Sequence, residues 1–247
     1  MRTPVDRERF PPGPATWPDR GRHDTSPAVS STDGFRTGNG ECGALLYGMP
    51  AMEKVVFGHP GCDPAYEFRI SSPGTTAVDG YGRITDFRTG EVISTWSDGY
   101  GIWARRAFAS RVDQVIVHEL VPAPGRTIDT TLSVDTALDG LPGSTRFTAR
   151  ATVSNGSGYL NLRGAFPARR GALGCEGVTR VVAFDGSISA SGPTLVVIGA
   201  PRLLLLTRID LNESPTEWVF QALRTALAEL DADYATLFAR HRDALPD

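Results

Sequence analysis

The sequence predicts a mainly β protein, a large antiparallel β-sandwich followed by one long C-terminal α-helix. Three observations carry this. Apolar and polar residues alternate in segments such as Ile128, Thr130, Leu132 and Val134 against Asp129, Thr131 and Ser133, the period of a strand with one wet face. Such segments recur roughly every 8–15 residues, as in sandwiches and barrels, and 27 glycines and 18 prolines are available to turn the chain between them. Only beyond Ser214 does the apolar period become helical.

Residues 1–33 carry Pro4, Pro11, Pro12, Pro14, Pro18 and Pro27 among scattered charges. With few aliphatics to bury, this stretch is expected to be a flexible arm. The sandwich is expected over residues 34–210. Ala44–Gly48 and Glu53–Phe57 flank a short connection and read as a hairpin. Tyr66–Ile70 is a further strand. Arg83–Arg88 and Glu91–Trp96 form a clearer hairpin around Thr89-Gly90, where glycine is free to take positive φ. Ile102–Ala109, Gln114–Leu120, Thr127–Val134, Thr145–Val153, Tyr159–Phe166, Val178–Phe184, Ser187–Ser189, Thr194–Gly199 and Leu203–Ile209 follow. Val115, Val117, Ala107 and Ala109 are expected in or beside the core.

Residues 211–247 are expected to hold the helix. Ser214, Pro215 and Glu217 make a capping box. Trp218, Leu223, Leu227, Leu230, Tyr234, Leu237 and Phe238 then recur on one face. A single helix over 215–240 would be roughly 40 Å long.

Composition narrows the function classes. The 247 residues carry a net charge of -3 and 40% hydrophobic residues, which excludes wholesale disorder and a polybasic nucleic-acid binder. No run of about 18 apolar residues exists to span a membrane, and the opening MRTPVDRERFPPGP has no apolar core of a secretory signal. A cytoplasmic chain is the expectation. Cys42, Cys62 and Cys175 are too few for a disulfide scaffold and read as structural thiols. His23, His59, His118 and His241 show no metal-ligand spacing, so neither metal nor cofactor is expected. Gly38–Gly43 formally fits GxGxxG, but a strand follows it where a dinucleotide site needs a helix; it reads as a tight turn. Asp63, Glu67, Asp79, Asp86 and Asp98 read as turn and surface residues. Trp96 and Trp103 belong to an aromatic set open to two readings, a sugar-stacking face or cross-strand and core packing.

Three stretches go further. Gly38-Asn-Gly-Glu-Cys-Gly-Ala-Leu-Leu-Tyr-Gly is followed by Glu53-Lys-Val-Val-Phe. Thr85-Asp-Phe-Arg-Thr-Gly-Glu-Val is followed by Ala104-Arg-Arg-Ala-Phe-Ala-Ser-Arg-Val-Asp-Gln-Val-Ile-Val. The helix ends in Leu237-Phe-Ala-Arg-His-Arg. Together they resemble the N-terminal region of glycoside hydrolase family 95, the α-L-fucosidase and α-L-galactosidase group. The resemblance implies a supersandwich-like domain and a linker helix, ahead of a catalytic (α/α)6 barrel that these residues do not include.

The expectation is therefore an N-terminal sandwich domain of a protein acting on terminal α-L-fucosyl or related sugars, truncated before its barrel and not catalytic alone. A stand-alone carbohydrate-binding or interaction domain and an inactive gene product are the alternatives. Asn39, His59, Trp96 and Trp103 are the candidate substrate-binding residues, with no catalytic residue assigned. Expected partners are a carbohydrate or a helical catalytic domain, not nucleic acid or membrane. Self-association through the C-terminal helix is also expected, because its second half, Tyr234 to Phe238, would lack a cover.

Overall fold

The computed structural model describes residues 20–72, 78–135, 145–166, 174–213 and 219–245. In chain order its strands are β1 (Gly21–Asp24), β2 (Phe35–Gly38), β3 (Gly43–Leu46), β4 (Met52–His59), β5 (Cys62–Ser71), β6 (Asp79–Asp86), β7 (Val92–Ser97) and β8 (Ile102–Ala109). They continue with β9 (Ile116–Val121), β10 (Ile128–Asp135), β11 (Arg146–Ser154), β12 (Ser157–Ala165), β13 (Gly174–Phe184), β14 (Ser187–Ser191), β15 (Thr194–Ala200) and β16 (Arg202–Asn212). Two helices close the described chain, α1 (Phe220–Glu229) and α2 (Tyr234–Asp243).

The strands form two sheets. Nine strands run in the order β1-β6-β7-β8-β9-β16-β13-β12-β11, and seven in the order β14-β15-β10-β5-β4-β3-β2. The strand pairs are antiparallel, and most follow sequence neighbours through hairpins such as β6–β7, where Gly90 sits at φ 69°. Between the sheets lies the main core. Val55, Phe57, Phe68 and Ile70 enter it from the smaller sheet, and Ile116, Leu120, Leu203 and Leu205 from the larger.

The central strands of the larger sheet are buried on both faces. Its outer face carries Phe108, Val115, Val117, Val178, Leu204 and Leu206, covered by Leu223, Leu227, Tyr234 and Leu237 of the helices. This explains why Leu203–Leu206 is one continuous apolar run. A strand with no wet face has no reason to alternate. Val115 and Val117 thus lie under the helices, while Ala107 and Ala109 of β8 lie in the core between the sheets.

The single long helix is corrected to two short ones. Asp233 breaks the stripe: its side chain accepts from the Thr236 amide at 2.8 Å and caps α2. An aspartate costs helix stability in the interior and supplies it at this position. Arg180 of β13 donates to the Leu227 and Leu230 carbonyls at 2.9 and 3.1 Å, stopping α1 with a cation at its C-terminus. At the other end Glu176 of β13 accepts from the Phe220 amide at 3.0 Å. The capping box at Ser214, Pro215 and Glu217, and Trp218 with it, lies outside the described residues.

The uncovered second half of the helix is corrected as well. Tyr234 and Leu237 are fully buried, and Phe238 packs edge-on against Phe108 with ring centroids 5.1 Å apart. The Arg240-His241 pair is part of the seal. Arg240 binds Asp113 at 2.8 Å, His241 Nδ1 accepts from the Arg111 amide, and His241 Nε2 donates to the Thr89 carbonyl at 2.7 Å. The apolar residues on which self-association was expected to rest are covered within the chain. Gly21–Asp24, inside the stretch expected to be a loose arm, pairs with β6 as an edge strand.

Candidate functional site

A groove of about 820 Å³ lies on the outer face of the seven-stranded sheet. Strand register builds it. Arg36, Leu45, Val56 and Glu67 stand opposite one another across β2, β3, β4 and β5. One pleat along, the corresponding places are held by Gly38, Gly43 and Gly58. Three glycines in register leave a strip of sheet with no side chains on this face, and the groove follows that strip. At Gly58 the Asp63 carboxylate leans over the strip: a Cβ there would sit 2.6 Å from it and would have to push it aside.

The rim comes from two connections. On one side the β4–β5 turn supplies His59, Pro60 and Asp63. His59 Nδ1 accepts from the Gly61 amide, so the neutral ring carries its proton on Nε2. On the other side Ser30 and Ser31 line the groove, in a turn where Asp33 accepts from the Ser30 hydroxyl at 2.7 Å. Ala28, packed with Leu45 and Tyr47, anchors that turn to the sheet.

Glu67, expected on the surface, is buried in the groove floor. Lys54 lies 2.6 Å from one of its oxygens and Arg69 2.8 Å from the other, and Arg69 also binds Asp135. A carboxylate on the outer face becomes buried because the flanking strands place long cations beside it.

The candidate residues separate. His59 lines the groove. Asn39 spends its side chain on a turn: Oδ1 accepts from the Glu41 and Cys42 amides, each at 2.9 Å, and Nδ2 donates to the Ser110 carbonyl at 2.7 Å. Its neighbour Gly40 takes the positive φ, at 97°. Trp96 and Trp103 are a cross-strand pair, with rings 6.2 Å apart and nearly parallel. Trp96 is 1% exposed, in the core. Trp103 is half-buried and donates its indole N–H to Asp98 at 2.7 Å.

Among the described residues the buried carboxylates are Glu53, Glu67, Glu119 and Glu176. Each meets a cation: Glu53 meets Arg105, Glu67 meets Lys54 and Arg69, Glu119 meets Arg106, and Glu176 meets Arg163. Burial pushes the Glu53 carboxyl up, against the pull of Arg105. A glycosidic acid also needs a raised carboxyl. Glu53, however, accepts from the Tyr47 and Gly48 amides and is closed off between the sheets, so it has no path to a sugar.

Residues 64–214 match the family model described as "Glycosyl hydrolase family 65, N-terminal domain". A solved structure, "Putative kojibiose phosphorylase from human microbiome", shares the fold, with a TM-score of 0.54 and 10% identity. The alignment covers 91% of this chain, and the chain spans 37% of that one. No curated protein matches. The matched model is that of family 65, which corrects the family 95 assignment drawn from the sequence motifs. Those motifs hold structural roles here. Asn39 makes a turn, Gly90 a hairpin, Arg105 and Arg106 ion pairs, and Arg240 and His241 a helix seal. Residues that specify a sandwich carry no information on which sugar a relative cleaves.

Proposed function

Since the chain belongs to glycosyl hydrolase family 65 through its N-terminal domain, we propose that it is the supporting sandwich of a protein acting on α-linked sugars and is not the catalyst itself. The observation that carries this is the fate of its acids. Each buried glutamate among the described residues is held by a cation. Cleavage at a glycosidic centre needs one carboxyl to protonate the leaving oxygen and a second group to deliver or activate the nucleophile. The likeness to a kojibiose phosphorylase supports an α-linked glucobiose as the sugar class. Such a sugar is neutral and is joined through an axial anomeric bond.

The helix pair sealed on the larger sheet fits this role. It delivers the chain from β16 across a rigid platform, and α2 ends beside the β6–β7 hairpin through the His241–Thr89 bond. The test is turnover by the purified chain on aryl α-L-fucosides, and on kojibiose with and without inorganic phosphate. No turnover is expected. Turnover above background that one Asp or Glu substitution abolishes would overturn the proposal.

A further inference from the structure

The groove on the seven-stranded sheet is a site of its own. It rests almost wholly on residues 30–63, ahead of the stretch that matches the family model, and only Pro64 and Glu67 of its lining fall within it. We propose that it binds a short neutral oligosaccharide. The choice of a sugar rests on the function proposed above, while the place and the polarity of the site rest on the groove.

Charge and shape select the ligand. Arg36 and Lys54 are balanced by Asp63 and Glu67, so the lining offers no excess of positive charge to hold a phosphate or nucleotide. It offers donors and acceptors side by side instead. Arg36, the Nε2–H of His59 and the hydroxyl of Ser31 donate, and the Asp63 carboxylate accepts. Neighbouring hydroxyls of a sugar each donate and accept, which matches a mixed lining and not a single-sign one. Val56, only partly buried, stands beside the glycine strip and gives the apolar C–H face of a pyranose something to lie on. At about 820 Å³ the groove is within the range of small-molecule sites. Its floor is prepared in advance. Lys54, Glu67 and Arg69 hold one another, and Gly43 adds no side chain to the strip.

Asp63 and Arg36 are exposed and belong to different strands, so replacing them tests binding without opening the core. Calorimetric titration of the full chain with kojibiose, maltotriose and 2′-fucosyllactose, with inorganic phosphate as the charged probe, decides the matter. At least one of the three sugars is expected to bind, and phosphate is not. Asp63→Asn and Arg36→Gln are each expected to weaken that sugar tenfold or more with the melting temperature unchanged. Gly43→Leu fills the strip and is expected to abolish binding; should it fail to fold, the two surface variants still decide. Binding of phosphate alone, no binding of any sugar, or sugar binding that survives both surface variants overturns the site. None of these outcomes bears on catalysis. A chain that binds no sugar and turns none over keeps its supporting role and loses only the groove.

Discussion

Arg105 of β8 and Glu53 of β4 meet between the two sheets at 3.0 Å, both almost wholly buried. Arg105 also donates to the Met49 and Pro50 carbonyls, and Glu53 accepts from the Tyr47 and Gly48 amides. The pair therefore pins the β3–β4 turn to the larger sheet. Arg105→Met would leave Glu53 buried and unpaired, and is expected to cost about 3–5 kcal/mol. Combining it with Glu53→Gln is expected to recover part of that loss. Urea melts of the four proteins in a double-mutant cycle measure it; strictly additive losses would mean that the pair is not coupled.

His118 of β9 is buried, its Nε2 has no hydrogen-bond partner among the described residues, and burial together with Arg105 pushes its pKa down to about 3. In the unfolded chain an ordinary histidine titrates near 6.5. Between those values the unfolded state takes up a proton that the folded state refuses, so stability is complete above about pH 6.5 and falls as pH drops. The loss is about 1.4 kcal/mol per pH unit. His118→Gln is expected to flatten the profile between pH 6.5 and 4.5 by about 3 kcal/mol relative to the parent. Parallel profiles of the two proteins would show that His118 is not held neutral.

The helices belong to this domain. Leu237→Ala opens a cavity above Phe108 and is expected to cost about 2–5 kcal/mol. Val117→Asp places a carboxylate under the same helices and is expected to unfold the protein. Hydrogen exchange in the dilute chain is expected to be slow through Phe238 and fast only beyond Asp243. Rapid exchange of the Leu237 and Phe238 amides would show instead that α2 is undocked.

Cys62 of β5 and Cys175 of β13 come from opposite sheets, with their sulfurs 2.8 Å apart. The Cys62 thiol donates to Cys175 and lowers its pKa against the effect of burial. With oxidised glutathione, Cys175 thiolate attack and displacement by Cys62 would join the two sulfurs and release two molecules of glutathione. Closing a loop of 113 residues is worth about 4–5 kcal/mol in the chain-entropy model. After prolonged exposure the denatured protein is expected to show one maleimide-reactive thiol, Cys42, and a raised melting temperature. Three reactive thiols would refute the pairing.

Local patterns were legible where one physical demand acted alone. Ile128, Thr130 and Leu132 alternate because one face of β10 meets the core, and Thr89-Gly90 turns because only the glycine there takes positive φ easily. The helix break was also written in the sequence, as Asp233 three residues before Thr236, but an unbroken apolar stripe masked it. β1 could not be read: a glycine and three polar residues form a strand only because β6, far along the chain, offers an open edge. The groove was hidden for the same reason. Gly38, Gly43 and Gly58 are unremarkable singly and become a bare strip only through the register of three strands. His59 was among the candidate binding residues, while Arg36 and Asp63 gave no signal that they would share its groove.

β16 joins the two halves of the nine-stranded sheet, with β9 on one side and β13 on the other, and follows every other described strand in the sequence. A nascent chain leaving the ribosome therefore carries β9 and β13 with open edges and nothing to bridge them until Arg202–Asn212 has emerged. Up to that moment the sheet is two fragments with adhesive borders. Productive folding has to wait for synthesis to pass residue 212, and an arrest before residue 202 would release a chain poised to aggregate.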